Sequence, residues 1–176
     1  PFTWRFSKVK GAGTYHYIIK EDTSTAVAGV AFDTEAKEVT VAATFQSGVL
    51  TATVTSAEPT FTNTYKATPA KETITAKKVL NGKDLEADKY EFELKEGDKV
   101  VATAKNAADG TVTFPAISYD AAGPHTYTIT EKAGSEAGVT YDTATHEVTV
   151  NVTDNGQSQL VATATNNNPT FTNTYK

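Results

Sequence analysis

The sequence contains no cysteine and no methionine, a single tryptophan (Trp4), and no apolar run near the roughly 20 residues that a membrane-spanning helix needs. Without cysteine there is neither a disulfide framework nor a thiolate nucleophile, and a small extracellular domain would need some other staple. Without methionine there is no initiator residue. No signal peptide stands at the front either, so the chain reads as a fragment or processed piece of something longer. Positive charge is also short: 16 Lys and Arg face 21 Asp and Glu, a formal charge of −5, and no Lys/Arg stripe reverses the balance. Nucleic acid and membrane are therefore not expected as partners.

Catalytic and ligand motifs are equally scarce. There is no glycine-rich phosphate loop and no Ser/His/Asp constellation, and no cofactor is expected. The three histidines, His16, His125 and His146, lack the close pairing of metal ligands, so no metal site is expected. Glu91 and Glu93 share one face of "YEFELKE", opposite Tyr90, Phe92 and Leu94, and read as a solvated strand face and not a glycosidase pair. "TDNGQS" begins like a calcium loop but lacks the remaining ligands, and the sequon at Asn151 lies in a strand pattern.

What the sequence does contain is a repeat. "PTFTNTYK" occurs at Pro59–Lys66 and again at Pro169–Lys176, an offset of 110 (173 − 63). "TYHYIIKE" from Thr14 lies over "PHTYTITE" from Pro124, and "GVAFDTEAKEVTV" from Gly29 lies over "GVTYDTATHEVTV" from Gly138 with a shift of one residue. Three segments follow: an N-terminally incomplete domain over 1–66, a linker over 67–70 where Pro69 interrupts any strand, and a complete domain over 71–176. The first copy begins opposite Thr111, so Trp4 matches Phe114 and no counterpart of residues 71–110 precedes it. Either that domain is truncated or its opening strands come from elsewhere.

Nearly every segment alternates apolar and polar residues with period two, in short runs rich in Thr, Val, Tyr and Phe. "NGK", "EGDK", "ADGT", "AAGP" and "DNGQ" separate them, and "ADGT" and "DNGQ" suit hairpins because glycine accepts the positive φ of primed turns. Only "DLEADKYEF" suggests a brief helical turn. The pattern predicts an all-β chain of two-sheet sandwiches.

Alternation also assigns faces. Asn173 is in phase with Phe171 and Tyr175, Glu131 with Tyr127 and Ile129, and Lys78 with Ile74, Ala76 and Leu80, while Lys77 points outward. Three strands thus turn an amine, a carboxyl and a carboxamide towards an apolar interior. Taken singly each is ordinary; together they are not, because burying unpaired charges costs several kcal/mol. Glu21 and Asn63 repeat the carboxyl and carboxamide in the first copy. In a dry pocket a lysine loses its charge and a glutamate keeps its proton. The neutral amine then attacks the carboxamide, the acid hydrogen-bonds the Asn carbonyl and shuttles protons, and ammonia leaves. Such self-crosslinking is a single event, so the chain is not expected to be an enzyme.

The set "KKVLNG", "YTITEKAG…GVTYDTATHEVTVNV" and "FTNTYK" resembles the pilin isopeptide-linkage domain, the Ig-like CnaB-type module of Gram-positive backbone pilins and surface adhesins. The resemblance covers about 71–176 and, incompletely, 1–66. It implies two tandem Ig-like (CnaB-type) β-sandwich domains and a Lys78–Asn173 isopeptide bond assisted by Glu131. It also implies an extracellular, cell wall-anchored location. Glu21 and Asn63 would be the catalytic and crosslink residues of the first copy, but the partner lysine of Asn63 is absent; Lys8 and Lys10 match 118–120 and are poor substitutes. No LPxTG signal and no "YPKN" motif is present, which favours a stalk repeat over a polymerising subunit. The implied partners are neighbouring repeats of the same polypeptide or fibre, with sortase and cell wall reached through other regions. Two rival expectations are a ligand-binding adhesin module, which the short Ala-, Asp- and Gly-rich loops disfavour, and a split domain whose first copy accepts a strand and lysine from another polypeptide.

Overall fold

A strand whose side chains alternate between apolar and polar buries one face and wets the other, and this chain is built from such strands throughout. The computed structural model describes residues 10–176, and every regular element among them is β. Trp4 and Lys8 lie outside the described residues. The chain divides into two units, Pro1–Lys66 and Ala67–Lys176.

In the first unit β1 (Gly13–Ile19), β3 (Lys37–Gln46) and β4 (Val49–Val54) form an antiparallel sheet in the order β1-β3-β4. Beside it β2 (Val30–Ala31) pairs with β5 (Thr64–Tyr65).

The second unit contains β6 (Ala70–Glu72), β7 (Thr75–Asn81), β8 (Glu91–Glu96), β9 (Lys99–Lys105), β10 (Thr111–Thr113), β11 (Ile117–Tyr119), β12 (Gly123–Glu131), β13 (Val139–Thr140), β14 (Thr145–Asp154), β15 (Leu160–Thr165) and β16 (Thr170–Tyr175). One sheet runs β15-β14-β12-β8-β9 and the other β10-β7-β16-β13, with β11-β6 as a separate pair. Their inward faces share one core, in which Ala76, Val112 and Phe171 of one sheet, with Ile74 just before β7, meet Phe92, Leu94, Tyr127, Ile129, Val148 and Val150 of the other. This is the layout of an Ig-like sandwich. All named pairings are antiparallel except one: β7 and β16 run parallel.

The repeat holds at the level of register. Tyr17 faces Val39 as Tyr127 faces Val148, and Val30 faces Tyr65 as Val139 faces Tyr175. Several local expectations change. The segment expected to hold a helical turn has none. Instead Asp88 takes a φ of 60°, and buried Asn106 ties the loop down by accepting from Tyr90 N–H at 2.8 Å and donating to the Glu86 carbonyl at 2.8 Å. "ADGT" closes a tight local loop, with Asn106 bridged to Val112, but its arms diverge into different sheets as β9 and β10. "ETITAKKVL" is split at Thr73–Ile74 into β6 and β7, which serve different sheets. Residues 67–70 bond to the second unit: Thr68 N–H donates to the Ser158 carbonyl at 2.7 Å, and Ala70 joins the core.

Candidate functional site

Lys78, Glu131 and Asn173 are buried polar residues, and all three are within one cluster. β7 brings Lys78, the parallel neighbour β16 brings Asn173, and Glu131 ends β12 in the facing sheet. Lys78 Nζ lies 2.6 Å from Glu131 Oε2, and Asn173 Nδ2 donates to Glu131 Oε1 at 2.6 Å. One carboxyl therefore holds the amine with one oxygen and the carboxamide with the other. The side chains of Lys78 and Glu131 are wholly inaccessible to solvent.

Aromatic rings make the walls. Lys78 Nζ sits 4.8 Å from the centroid of Tyr90, and Phe92 and Phe171 pack with centroids 5.2 Å apart. Burial, with the Glu136 charge next in weight, pushes the Tyr90 phenol up to about 12, so that wall stays neutral. Burial likewise pulls the Lys78 amine below its usual range, and the opposing hydrogen bond and charge of Glu131, with the charge of Asp142, do not cancel it. Burial thus shifts the balance of the amine towards its uncharged, nucleophilic form.

The carbonyl of Asn173 departs from expectation. Its Oδ1 accepts from the backbone N–H of Asp142 at 2.7 Å, so the Glu131 carboxyl meets the amide nitrogen and not the carbonyl. A backbone N–H only donates, which fixes the carboxamide orientation. Asp142 itself is pinned by Thr172 N–H at 2.7 Å and Ala144 N–H at 2.9 Å. Burial raises its pKa, but those two donors and the charges of Lys78 and His146 outweigh it and the net direction is down. Asp142 escaped the sequence reading, although "FDT" and "YDT" recur in both copies and pointed to it.

Glycine shapes the back of the pocket. Gly110 has a φ of 86°, its carbonyl accepts from Lys78 N–H at 2.6 Å, and a Cβ there would lie 2.2 Å from the Lys78 carbonyl oxygen. Only glycine lets the β9–β10 corner press this closely on the lysine's backbone.

In the first unit Asn63 Nδ2 donates to Glu21 Oε1 at 2.7 Å, and Asp33 N–H donates to Asn63 Oδ1 at 2.8 Å. The carboxyl–carboxamide pair is thus assembled there too, but Asn63 is exposed where Asn173 is fully buried. Lys10 is exposed. The remaining candidates take no part in these hydrogen bonds. His16 pairs with Glu38 at 2.7 Å and His125 with Glu96 at 2.9 Å across strands, while His146 packs edge-on against Phe171. Asn151 is an exposed residue within β14, and Glu91 and Glu93 are half-buried on β8. Tyr175, in phase with Asn173, emerges at the strand end with 38% of its surface exposed. No group of three or more His, Asp or Glu among the described residues is arranged to hold a metal ion.

The fold and this cluster together define a tandem β-sandwich protein of the isopeptide-domain class. A family model described as the Spy0128-like isopeptide-containing domain (FctA) matches residues 2–66 and 74–176, and the chain belongs to that family. It is a family of pilin-type, extracellular structural domains. Comparison with curated proteins gave no match.

Proposed function

We propose that the second unit crosslinks itself through a Lys78–Asn173 amide and serves as a load-bearing stalk segment of a Gram-positive cell-surface adhesin or pilus anchored to the cell wall. The observation that carries this reading is the single buried carboxyl of Glu131 bonded to both reacting groups. Glu131 takes the proton from Lys78, leaving a neutral amine. Nζ attacks Cγ of Asn173 while the Asp142 N–H polarises the carbonyl oxygen. Glu131 then delivers that proton to Nδ2 and takes the second proton from Nζ of the tetrahedral adduct, the Cγ–Nδ2 bond breaks, and one ammonia leaves, with the Nζ–Cγ amide formed and the Glu131 carboxyl left protonated. Holding the groups in contact supplies most of the acceleration, since oriented intramolecular reactions reach effective molarities of about 10⁵–10⁸ M. The reaction happens once per molecule, so the protein is a product of its own chemistry and not a turnover enzyme.

The mechanical role follows from the parallel pair. Load entering before β7 and leaving after β16 pulls two adjacent strands in shear, and the amide joins those strands directly. The intervening strands then lie outside the load path. The partners are neighbouring segments of the same fibre, with sortase and cell wall engaged through other regions. Intact mass tests the reading: the mature chain is lighter than its sequence by one ammonia, and Glu131→Gln restores the full mass. A full-mass wild-type protein contradicts it.

A further inference from the structure

Glu131 is the last residue of β12, and a carboxyl at a strand end ordinarily meets water, yet its side chain and that of Lys78 are wholly inaccessible. The connection that follows is placed to cover them. Residues 132–138 leave β12 at Glu131 and lead through β13 to Asp142, so one segment carries both groups that hold the Asn173 carboxamide. Its two ends are tied by main-chain bonds. Lys132 N–H donates to the Glu91 carbonyl at 2.8 Å, and the Gly138 carbonyl accepts from Lys176 N–H at 2.9 Å.

Between those ties Glu136 is held by side chains. Its Oε1 accepts from Lys83 Nζ at 2.9 Å, and its Oε2 accepts from the Tyr90 hydroxyl at 3.4 Å and lies 3.7 Å from Lys89 Nζ. Lys83, Lys89 and Tyr90 all belong to the connection from β7 to β8. Glu136 therefore fastens the segment after Glu131 to the segment after Lys78. Its N–H also donates to the Tyr141 hydroxyl at 3.2 Å, and Tyr141 packs edge-on against Tyr90 with centroids 5.9 Å apart. The lid segment presses closely here, since a Cβ on Gly134 would fall 2.3 Å from the Tyr141 hydroxyl oxygen. Tyr90 is the same ring whose centroid stands 4.8 Å from Lys78 Nζ. An isolated exposed ion pair contributes little, but here two ammonium groups and a phenol converge on a carboxylate whose side chain is only 19% exposed. The Lys83 hydrogen bond outweighs burial and, with the charges of Lys83 and Lys89, holds the Glu136 carboxyl below its usual range.

We propose that residues 132–138 form a lid over the Lys78–Glu131–Asn173 pocket and that Glu136 is its latch, a positioning residue that keeps water from the amine. The inference rests on the self-crosslinking proposed for the second unit. Around Lys78 stand Glu131, Asp142 and the Tyr90 ring. Water admitted among them would restore the ammonium, because desolvation is what pulls the amine below its usual range. Loss of the latch therefore shifts the pH profile of crosslinking upwards. Loss of the Glu136 charge alone would act in the opposite sense, since a departing carboxylate favours the neutral amine.

The test has two arms, both on the full chain. In the first, wild type, Glu136→Ala and Glu136→Gln are recovered unfolded and unreacted and refolded from about pH 6 to about pH 10, and intact mass follows the loss of one ammonia. Glu136→Ala is expected to slow the loss about tenfold at neutral pH and to converge on the wild-type rate as pH rises towards 10.5, with Glu136→Gln, which keeps an acceptor for Lys83 and Tyr90, in between. In the second arm, amide hydrogen exchange over residues 131–142 is compared with and without Glu136→Ala in an Asn173→Ala background, where no crosslink can form. Faster exchange in the latch variant is expected. Unchanged exchange overturns the lid. A rate loss equal at every pH, a profile shifted downwards, or a glutamine variant no faster than alanine overturns the positioning role. A wild type that never loses ammonia overturns the crosslinking reading and the positioning role with it, while the exchange arm still decides whether Glu136 closes the lid.

Discussion

Lys78 stands opposite Phe171 in the parallel ladder of β7 and β16, and Asn173 stands opposite Leu80, so the two reacting residues are diagonal neighbours on one face. The diagonal matters because the lysine chain is long and the asparagine chain short. A directly opposed pair would crowd the amine past the carboxamide; a diagonal pair lets the amine approach along the strand. Glu131 then reaches in from the facing sheet to hold both ends.

Removing the crosslink removes a large loop constraint. Lys78→Ala is expected to lower unfolding free energy by about 4–5 kcal/mol from loop-closure entropy, with the buried Glu131 left unpaired adding to the loss. Chemical denaturation of the two proteins reads the difference directly, and a loss below about 1 kcal/mol speaks against a formed crosslink.

Gly110 makes a prediction about rate as well as stability. Gly110→Ala forces a Cβ to within 2.2 Å of the Lys78 carbonyl at a φ of 86°. The expected cost is about 1–3 kcal/mol, and the displaced β7 backbone slows ammonia release after refolding. Time-resolved intact mass follows the second effect, and wild-type kinetics in this variant would remove Gly110 from the positioning machinery.

Asp142 is expected to act through the backbone it anchors. Asp142→Ala keeps the N–H that polarises Asn173 but loses the acceptors of Thr172 and Ala144. Bond formation should slow by about tenfold or more while circular dichroism remains that of the folded sandwich. An unchanged rate would reduce Asp142 to a loop anchor.

How much of this was legible in the sequence differs residue by residue. Period-two phasing was enough to turn Lys78, Glu131 and Asn173 inward, because an alternation fixes the face of every residue on a strand. It says nothing about which strand lies beside which, and the parallel placement of β7 against β16 is a property of the whole sandwich. Asp142 was missed because its direct contact with Asn173 is a main-chain N–H, and the recurrence of "FDT" and "YDT" was the signal that pointed to the position. The corner at "ADGT" was misread because a turn motif specifies its own geometry and not the sheets its arms will join. The helical turn expected near Asp88 gave way to the side chain of Asn106, a long-range hydrogen-bonding partner that no local propensity reports. In the first unit the spacing of Glu21 and Asn63 was readable, but the exposure of Asn63 was not, since burial depends on strands from other parts of a fold.

The amine also gives a pH signature. Burial holds Lys78 below the unfolded value of 10.5, so in the window beneath that value the unfolded chain binds the extra proton. Stability of an unreacted protein therefore rises with pH through that window. Asn173→Ala, which keeps Lys78 and Glu131 but has no carboxamide to attack, should gain stability as pH rises towards 10.5. The crosslinked wild type should lack this increment, because its nitrogen is an amide and does not titrate. Parallel denaturant midpoints across that range separate the two, and identical slopes would contradict the assignment.

The most direct measurement is fragment mapping of the purified wild-type chain beside Glu131→Gln. The account predicts a branched peptide joining Lys78 to Asn173, one ammonia lighter than its two parts, in the wild type and none in the variant. Separate linear peptides carrying unmodified Lys78 and Asn173 in the folded wild type would contradict it.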